Sequence, residues 1–408
     1  MKLFSISVKP DCSWIILIYT TLKPLYLSSS GTMQICDLFF AASVVYLLFR
    51  ERGKFSYHGK MISVFKPLVL MVLYITAVNC IWFLITGDMG MIRVSFFYVF
   101  NMLAFFICSF SAKKVGLSKL KRSFAIGCLL SILLTVFGLI LYRGTRVRST
   151  GFFNNPNQLG YYAIIIFTAL FLWPTSFTKR ERAIIAAISA WATLISGSKA
   201  AIIGLLVLVE LNIVLVQKKI TYKKLLFQIA AFIIFTIAVY VLLFGNTGFF
   251  ASNPTILYVR RRLLRMFSEN DSGFGSGRGY NRIFEMGIHF LWGVGEGAYD
   301  RFQTLTGLEI HSAYASFLVS YGAIGFLIIC ILMKKLLFQQ GLTRRNLSCF
   351  SAIALYNLTH NGIRNTLLWI MLAIAFADSV YEQRKDMIEQ SEDKETDENN
   401  IPYADKKE

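Results

Sequence analysis

Apolar residues in this chain do not alternate or mark one face of a helix over most of its length. They run in near-continuous blocks of roughly 20 residues, the length needed to cross about 30 Å of hydrocarbon as a helix. The blocks predict helical spans at 13–30, 33–49, 65–86, 91–111, 123–142, 158–173, 182–197, 200–217, 225–245, 312–333, 347–361 and 364–381. Helices apolar on every side can be hidden from water only in a large core or in a bilayer, and the bilayer is the simpler solvent. The expected fold is therefore an all-α polytopic membrane protein of about twelve transmembrane helices.

The connections between blocks set the orientation. RERGKFSYHGK, AKKVGLSKLKR, TKRER, QKKITYKK and KKLLFQQGLTRR are all basic and are every second connection, so they fall on one side. The excess of Lys and Arg on cytoplasmic loops places these segments and both termini in the cytoplasm. The start, MKLFSISVKPDCSWIILIYTT, shows no small-residue cleavage site and reads as a retained first helix. The divisions expected are N-terminal helices over 1–142, a central region over 143–345 that includes an outer loop at 246–311, C-terminal helices over 346–381, and an acidic, disordered cytoplasmic tail over 382–408.

Composition agrees with the pattern: 55% of the 408 residues are hydrophobic, above the roughly 45–50% of soluble domains. Mean hydropathy is +0.56. A net charge of +19 would suggest nucleic acid in a soluble protein, but here the positive charge sits mostly in short loops between apolar blocks, so no nucleic-acid partner is expected. The seven cysteines lie in or beside apolar blocks without a CxxC pair, which gives neither a disulfide framework nor a zinc site.

The outer side breaks the charge rule. Arg143, Arg146, Arg148, Arg260, Arg261, Arg262, Arg265, Arg278, Arg282 and Arg301 all lie where translocated loops are normally poor in Arg. An anionic ligand would account for them, since the guanidinium fork matches phosphate oxygens; weak charge bias in long loops is the alternative. In SENDSGFGSGRGYNRIFEMGIHFLWGVGEGAYDRF, four glycines surround Arg278, and a helix starting near Ser276 would offer amides to a phosphate; a flexible hinge is the competing reading. Arg278 and Arg282 share a face with Glu285. YVRRRLLRMF resembles a helix lying on the membrane surface.

Further candidates line the same side. His311 opens a span directly after the Arg-rich loop, where an imidazole can exchange a proton near neutral pH. His289 and His360 read as structural. Lys199 follows the tight turn SGSK, and Asn154, Asn155 and Asn157 flank a proline at a span opening, as an Asx turn with a helix cap or as amides for a sugar. No DxD, HExxH, GxSxG or Walker A sequence is present, so metal, serine-hydrolase and nucleotide chemistry lack a motif and no cofactor is expected.

The order of these motifs carries a resemblance. GFFNNPNQLGYYA, ISGSKAAIIGLL, GSGRGYNRIFEMGIHFLWGVGEGAYDRF and HSAYASFLVSYGAIGF together resemble the O-antigen ligase and Wzy-type polysaccharide polymerase superfamily over roughly residues 140 to 335. The resemblance implies a metal-independent inverting glycosyltransferase that takes its glycan from an undecaprenyl diphosphate carrier. By position it assigns His311 and Arg278 to catalysis. Lys199, Arg146, Arg148 and Arg282 would bind the diphosphate, and Asn154, Asn157 and Glu296 the glycan. Lys199 stands where the family usually has Arg, and Ser312 where Asn is common. Membrane lipids and a chain-length regulator are the further partners implied. A repeat-unit polymerase is the leading expectation. A ligase acting on lipid A core or another acceptor shares the same chemistry, and a flippase or transporter is the reading from another class. Transporters tend to place ionisable groups at the midplane and to show internal repeats, and neither pattern is visible here.

Overall fold

The computed structural model describes residues 11–28, 33–50, 59–141, 149–215, 279–297, 310–337 and 344–381, together with the single positions 230, 257, 260 and 261. The span predicted at 225–245, most of the outer loop, Arg143, Arg146, Arg148, Arg278 and the acidic tail lie outside the described residues. The helices are α1 Cys12–Leu22, α2 Ile35–Arg50, α3 Gly59–Thr86, α4 Met89–Val115, α5 Leu117–Leu141, α6 Pro156–Leu172, α7 Lys179–Ser196, α8 Lys199–Leu215, α9 Ala313–Leu337 and α10 Arg344–Asn357. A last helix, α11, covers Thr366–Tyr381. Among the described residues there is no strand.

Four of these helices, over Met61–Thr86, Met89–Val115, Leu117–Leu141 and Ala313–Leu337, are long and apolar enough to cross a membrane. Their outward faces are apolar too: Leu70, Leu73, Ile81 and Leu84 on α3, and Leu133, Phe137 and Ile140 on α5, are large exposed hydrophobic side chains. Such a belt would be an aggregation surface in water and is the expected exterior of a protein dissolved in lipid. The protein is an all-α membrane protein.

Local chemistry sets the helix ends. Asp11 caps α1 by accepting from the Ser13 amide at 2.8 Å, Asp88 caps α4 from Gly90 at 2.8 Å, and Asn155 caps α6 from Asn157 at 2.8 Å with Pro156 at the first helical position. α7 opens with a Thr178/Glu181 capping box and stops at Gly197, whose φ of 59° no branched residue adopts cheaply. α1 stops at Leu22, short of the predicted 30, because Pro24 cannot continue the amide ladder. Where helices meet, small residues let backbones close up: a side chain at Gly127 would come within 2.7 Å of Thr20 Cβ across the α1/α5 interface.

At one end of the bundle, basic residues at the start of α5 fasten it to its neighbours. Lys119 pairs with Asp11 at 2.6 Å, Lys121 pairs with Asp378, and Arg122 grips Glu181 through both guanidinium nitrogens at 2.6 and 2.8 Å. Three successive cations at the start of α5 thus tie it to α1, α11 and α7. Burial works against the Asp11 carboxylate, but the Lys119 ammonium and the Ser13 hydrogen bonds outweigh it and hold its pKa below the usual range.

The opposite end carries the feature that organises the site. α9 is broken at Gly322, where φ is 65° and ψ is −173°. The segment Leu291–Glu296 docks against this break. The Val294 and Gly295 amides donate to the carbonyls of Val319 and Ser320 at 3.1 and 2.9 Å, and the Ile324 amide donates back to Leu291 at 3.1 Å. Tyr74 Oη and Trp82 Nε1 on α3 donate to the carbonyls of Trp292 and Gly293 at 3.1 and 3.2 Å. Non-helical backbone packed against membrane helices is tolerable only when its polar groups are satisfied in this way.

Close approach makes two glycines obligatory. A Cβ at Gly293 would stand 2.3 Å from the Ser320 oxygen, and one at Gly322 would stand 2.4 Å from the Leu291 oxygen. Both residues also have positive φ. Gly293→Ala and Gly322→Ala are therefore expected to destabilise the fold by about 2–5 kcal/mol each, combining left-handed backbone strain with overpacking. Thermal unfolding of the purified protein in detergent checks this; an unchanged midpoint for either variant would mean that the loop does not dock as described.

Candidate functional site

The loop end of the bundle brings together segments far apart in sequence. The turn between α10 and α11, residues 358–365, lies at its centre. The His360 carbonyl accepts from the Ala313 amide at 3.2 Å, which sets the start of α9 and His311 beside it. Tyr280 Oη reaches the carbonyls of His311 at 3.1 Å and Leu358 at 3.3 Å, so the segment before Arg282 is fastened to the same place. Tyr356 stacks on His360 and on Tyr161, with ring centroids 4.7 and 4.6 Å apart, and its hydroxyl donates to the Asn157 carbonyl at 3.0 Å. The opening of α6 meets the turn before α8: a side chain at Gly160 would lie 2.9 Å from Ser196 Oγ and 3.2 Å from Ser198 Cβ.

Several residues expected at a site are therefore neighbours at one end. His311 is exposed at the mouth of α9. Lys199 is half-buried at the first position of α8, behind the Gly197 turn. Arg282 is buried, with its guanidinium against Gly279 and near Ile310. It belongs to a one-turn helix, Arg282–Glu285, and is followed by a 3-10 turn at Gly287–Phe290. No longer helix forms over these residues because Gly279, Gly287 and Gly293 all take positive φ and interrupt it. Glu285 is exposed and accepts from Asn281 Nδ2 at 3.0 Å. His289 accepts from Trp292 Nε1 at 3.2 Å and packs edge-on to Trp82, in keeping with a structural part.

The asparagines divide by role. Asn155 is the helix cap, Asn154 donates its amide to the Ser28 carbonyl at 2.7 Å, and Asn157 is half-buried with its carbonyl on Tyr356. The turn-and-cap reading of GFFNNPNQLG thus accounts for Asn155.

The largest departure from the sequence reading is Glu296. Docking of the glycine segment carries this carboxylate into the bundle, where it is 7% exposed. Tyr321 Oη on α9 donates to its Oε2 at 2.6 Å, and Arg364 Nη1 lies 3.5 Å from its Oε1. The Glu296 amide donates to Asn79 Oδ1 at 3.1 Å, while Asn79 Nδ2 donates to Ser95 Oγ at 3.0 Å and approaches Tyr321 Oη at 3.4 Å. Arg364 is anchored in turn, its carbonyl accepting from Asn101 Nδ2 at 3.1 Å and Asn101 Oδ1 accepting from Thr366 at 2.6 Å. A buried carboxylate costs several kcal/mol unless paired and hydrogen-bonded, and here α3, α4, α9 and the 358–365 turn each supply part of the compensation.

Asn79 and Arg364 carry no motif, and Tyr321, though inside HSAYASFLVSYGAIGF, has no assigned role there. One signal was available for Arg364. LTHNGIRNT is a polar, asparagine-rich turn on the same side as the other outer arginines. Asn79 sits within an apolar block, where a single polar residue has no pattern. Among the described residues, no group of three or more His, Cys, Asp or Glu side chains is placed to hold a metal ion.

Tyr321→Phe removes the shortest donor to the buried carboxylate and nothing else of bulk. It is expected to destabilise the protein by about 1–3 kcal/mol, as for a buried acceptor left short of a partner. Asn79→Leu, which also orphans the Glu296 amide, should cost more. Detergent-phase thermal unfolding of both variants provides the measurement, and equal midpoints for wild type and Tyr321→Phe would remove Tyr321 from the network.

No protein-family model and no curated protein matches this chain, so the resemblance rests on the motifs themselves.

Proposed function

We propose that this protein is a polysaccharide polymerase, a bacterial inner-membrane enzyme of about twelve spans with both termini in the cytoplasm. It would transfer a glycan from an undecaprenyl diphosphate carrier to a sugar hydroxyl on the outer face. The observation that carries the reading is the assembly of His311, Arg282, Lys199, Asn157 and the Glu296/Arg364 pair at one end of an apolar helical bundle. A lipid-linked, doubly phosphorylated donor needs that combination: cations at the membrane boundary for the diphosphate, a proton acceptor beside them, and amides for sugar hydroxyls.

In this reading the acceptor hydroxyl oxygen attacks the anomeric carbon of the donor while the bond from that carbon to the diphosphate oxygen breaks. The hydroxyl proton passes to His311, and the configuration at the anomeric carbon inverts. Negative charge grows on the departing diphosphate, and preorganised cations stabilise it best where water is scarce. Arg278 takes that part, with Lys199, Arg146 and Arg148 in support. Arg282, turned inward next to Ile310, adds positive field beside His311. Asn154 and Asn157 are assigned to the glycan. A chain-length regulator would act on this end of the bundle. The bond energy resides in the donor, so the reaction calls on no nucleotide.

The test is genetic and biochemical. A chromosomal deletion is complemented with wild type, His311→Ala or Arg278→Ala at equal membrane levels, and surface and lipid-linked glycans are resolved on a gel. The deletion should leave single repeat units on the final acceptor. Each alanine variant should fail to restore the ladder, with rates down by roughly 10²–10⁴ for loss of the general base and 10²–10³ for loss of a charge-stabilising donor. Long chains accumulating on the lipid carrier would identify a ligase, and full complementation by both variants would sink the site assignment and favour transport.

A further inference from the structure

We infer that Arg364, held in place by Glu296, is an anion-binding residue of the site that takes the diphosphate group of the lipid carrier. This deepens, and rests on, the glycosyl-transfer reading above. Exposure separates the two members of the pair: the Arg364 side chain is 25% accessible and that of Glu296 only 8%, so Arg364 is the more accessible member of the pair. Their separation of 3.5 Å is longer than the 2.7–2.9 Å of a tight charge-assisted hydrogen bond, whereas Tyr321 holds the other carboxylate oxygen at 2.6 Å. Glu296 is thus fixed by Tyr321 through its carboxylate and by Asn79 through its backbone amide, and the carboxylate so placed orients the Arg364 guanidinium beside it.

The scaffold around Arg364 is rigid in the way a binding residue requires. Its carbonyl accepts from Asn101, the Gly362 carbonyl accepts from Tyr161 at 3.1 Å, and the Gly362 amide donates to Asn357 Oδ1 at 3.1 Å. The same turn carries His360, whose carbonyl positions the residues next to His311. Arg364 therefore stands on the element that also sets the proposed general base, and a planar fork is the donor geometry that matches paired phosphate oxygens. Burial turns Glu296, expected on the glycan, into a positioning residue for Arg364 instead.

The experiment measures binding of undecaprenyl diphosphate to the purified full-length protein in detergent, with inorganic pyrophosphate and phosphatidylglycerol as separate ligands and thermal midpoints recorded in parallel. Arg364→Gln should weaken undecaprenyl diphosphate binding by about 10- to 100-fold, the loss expected for one charged hydrogen-bonding partner, and should lower the midpoint because Glu296 loses its cation; adding Glu296→Gln should restore the midpoint and leave the binding loss in place. Arg364→Lys should recover part of that loss. Glu296→Gln, which keeps the shape but not the charge, should weaken binding less than Arg364→Gln. A purely structural pair predicts affinities that follow the thermal midpoints and no distinction between Gln and Lys at 364, and that result would overturn the inference. Equal affinity for pyrophosphate or phosphatidylglycerol would overturn the lipid-diphosphate identity of the ligand. Wild type that does not bind undecaprenyl diphosphate would reject the glycosyl-transfer reading itself, whereas wild-type binding left intact in Arg364→Gln would reject the role of Arg364 alone.

Discussion

A backbone inside a bilayer has no water to turn to, and the structure depends on how that requirement is met at Gly322. Breaking α9 frees carbonyl groups at Val319 and Ser320 within a helix that would otherwise satisfy every amide internally. The Leu291–Glu296 segment has the complementary need, since it leaves the regular ladder on three positive-φ glycines in close succession, Gly293, Gly295 and Gly297. Each irregularity caps the other, and α3 contributes Tyr74 and Trp82 to close the remaining carbonyls. Neither element would be tolerable alone.

Docking of that segment has an electrostatic consequence. It delivers a carboxylate to a place where an isolated ion would be prohibitively costly, and so it imposes conditions on residues in three other elements. Tyr321 must present a hydroxyl, Asn79 must offer its amide oxygen, and the turn before α11 must bring up a cation. The Asn101–Thr366 contact and the Tyr161–Gly362 contact then hold that turn still. Packing, backbone satisfaction and charge compensation at this end form one cooperative unit. The basic end is simpler: three cations at the start of α5 hold three neighbouring helices through separate pairs.

Much of the helical layout was legible from the sequence. The predicted spans at 91–111, 123–142, 158–173 and 182–197 correspond to α4, α5, α6 and α7, because long apolar runs, caps such as Asp88 and Asn155, and stops such as Gly197 are local properties. Of the candidate positions, Lys199 was legible because it follows the SGSK turn and opens a helix, and His311 because it stands just ahead of an apolar block. Arg364 was missed because it reads as the first residue of the last span. Glu296 was noticed, but its partner was not, since 68 positions separate the two in the chain. Asn79 was invisible in an apolar run, where one polar residue has no periodicity to betray it, and Tyr321 stands in a quoted motif whose pattern says nothing of a partner in the outer loop.

The sequence by itself therefore determined the class of solvent, the helical blocks, the side on which cations gather and the residue types available for chemistry, all of which follow from local composition and spacing. Only the tertiary structure decided that α9 breaks at Gly322, that a glycine segment returns into the break, and that Glu296 is paired rather than presented. These outcomes depend on which distant backbone groups can satisfy one another without water, and no local pattern encodes that.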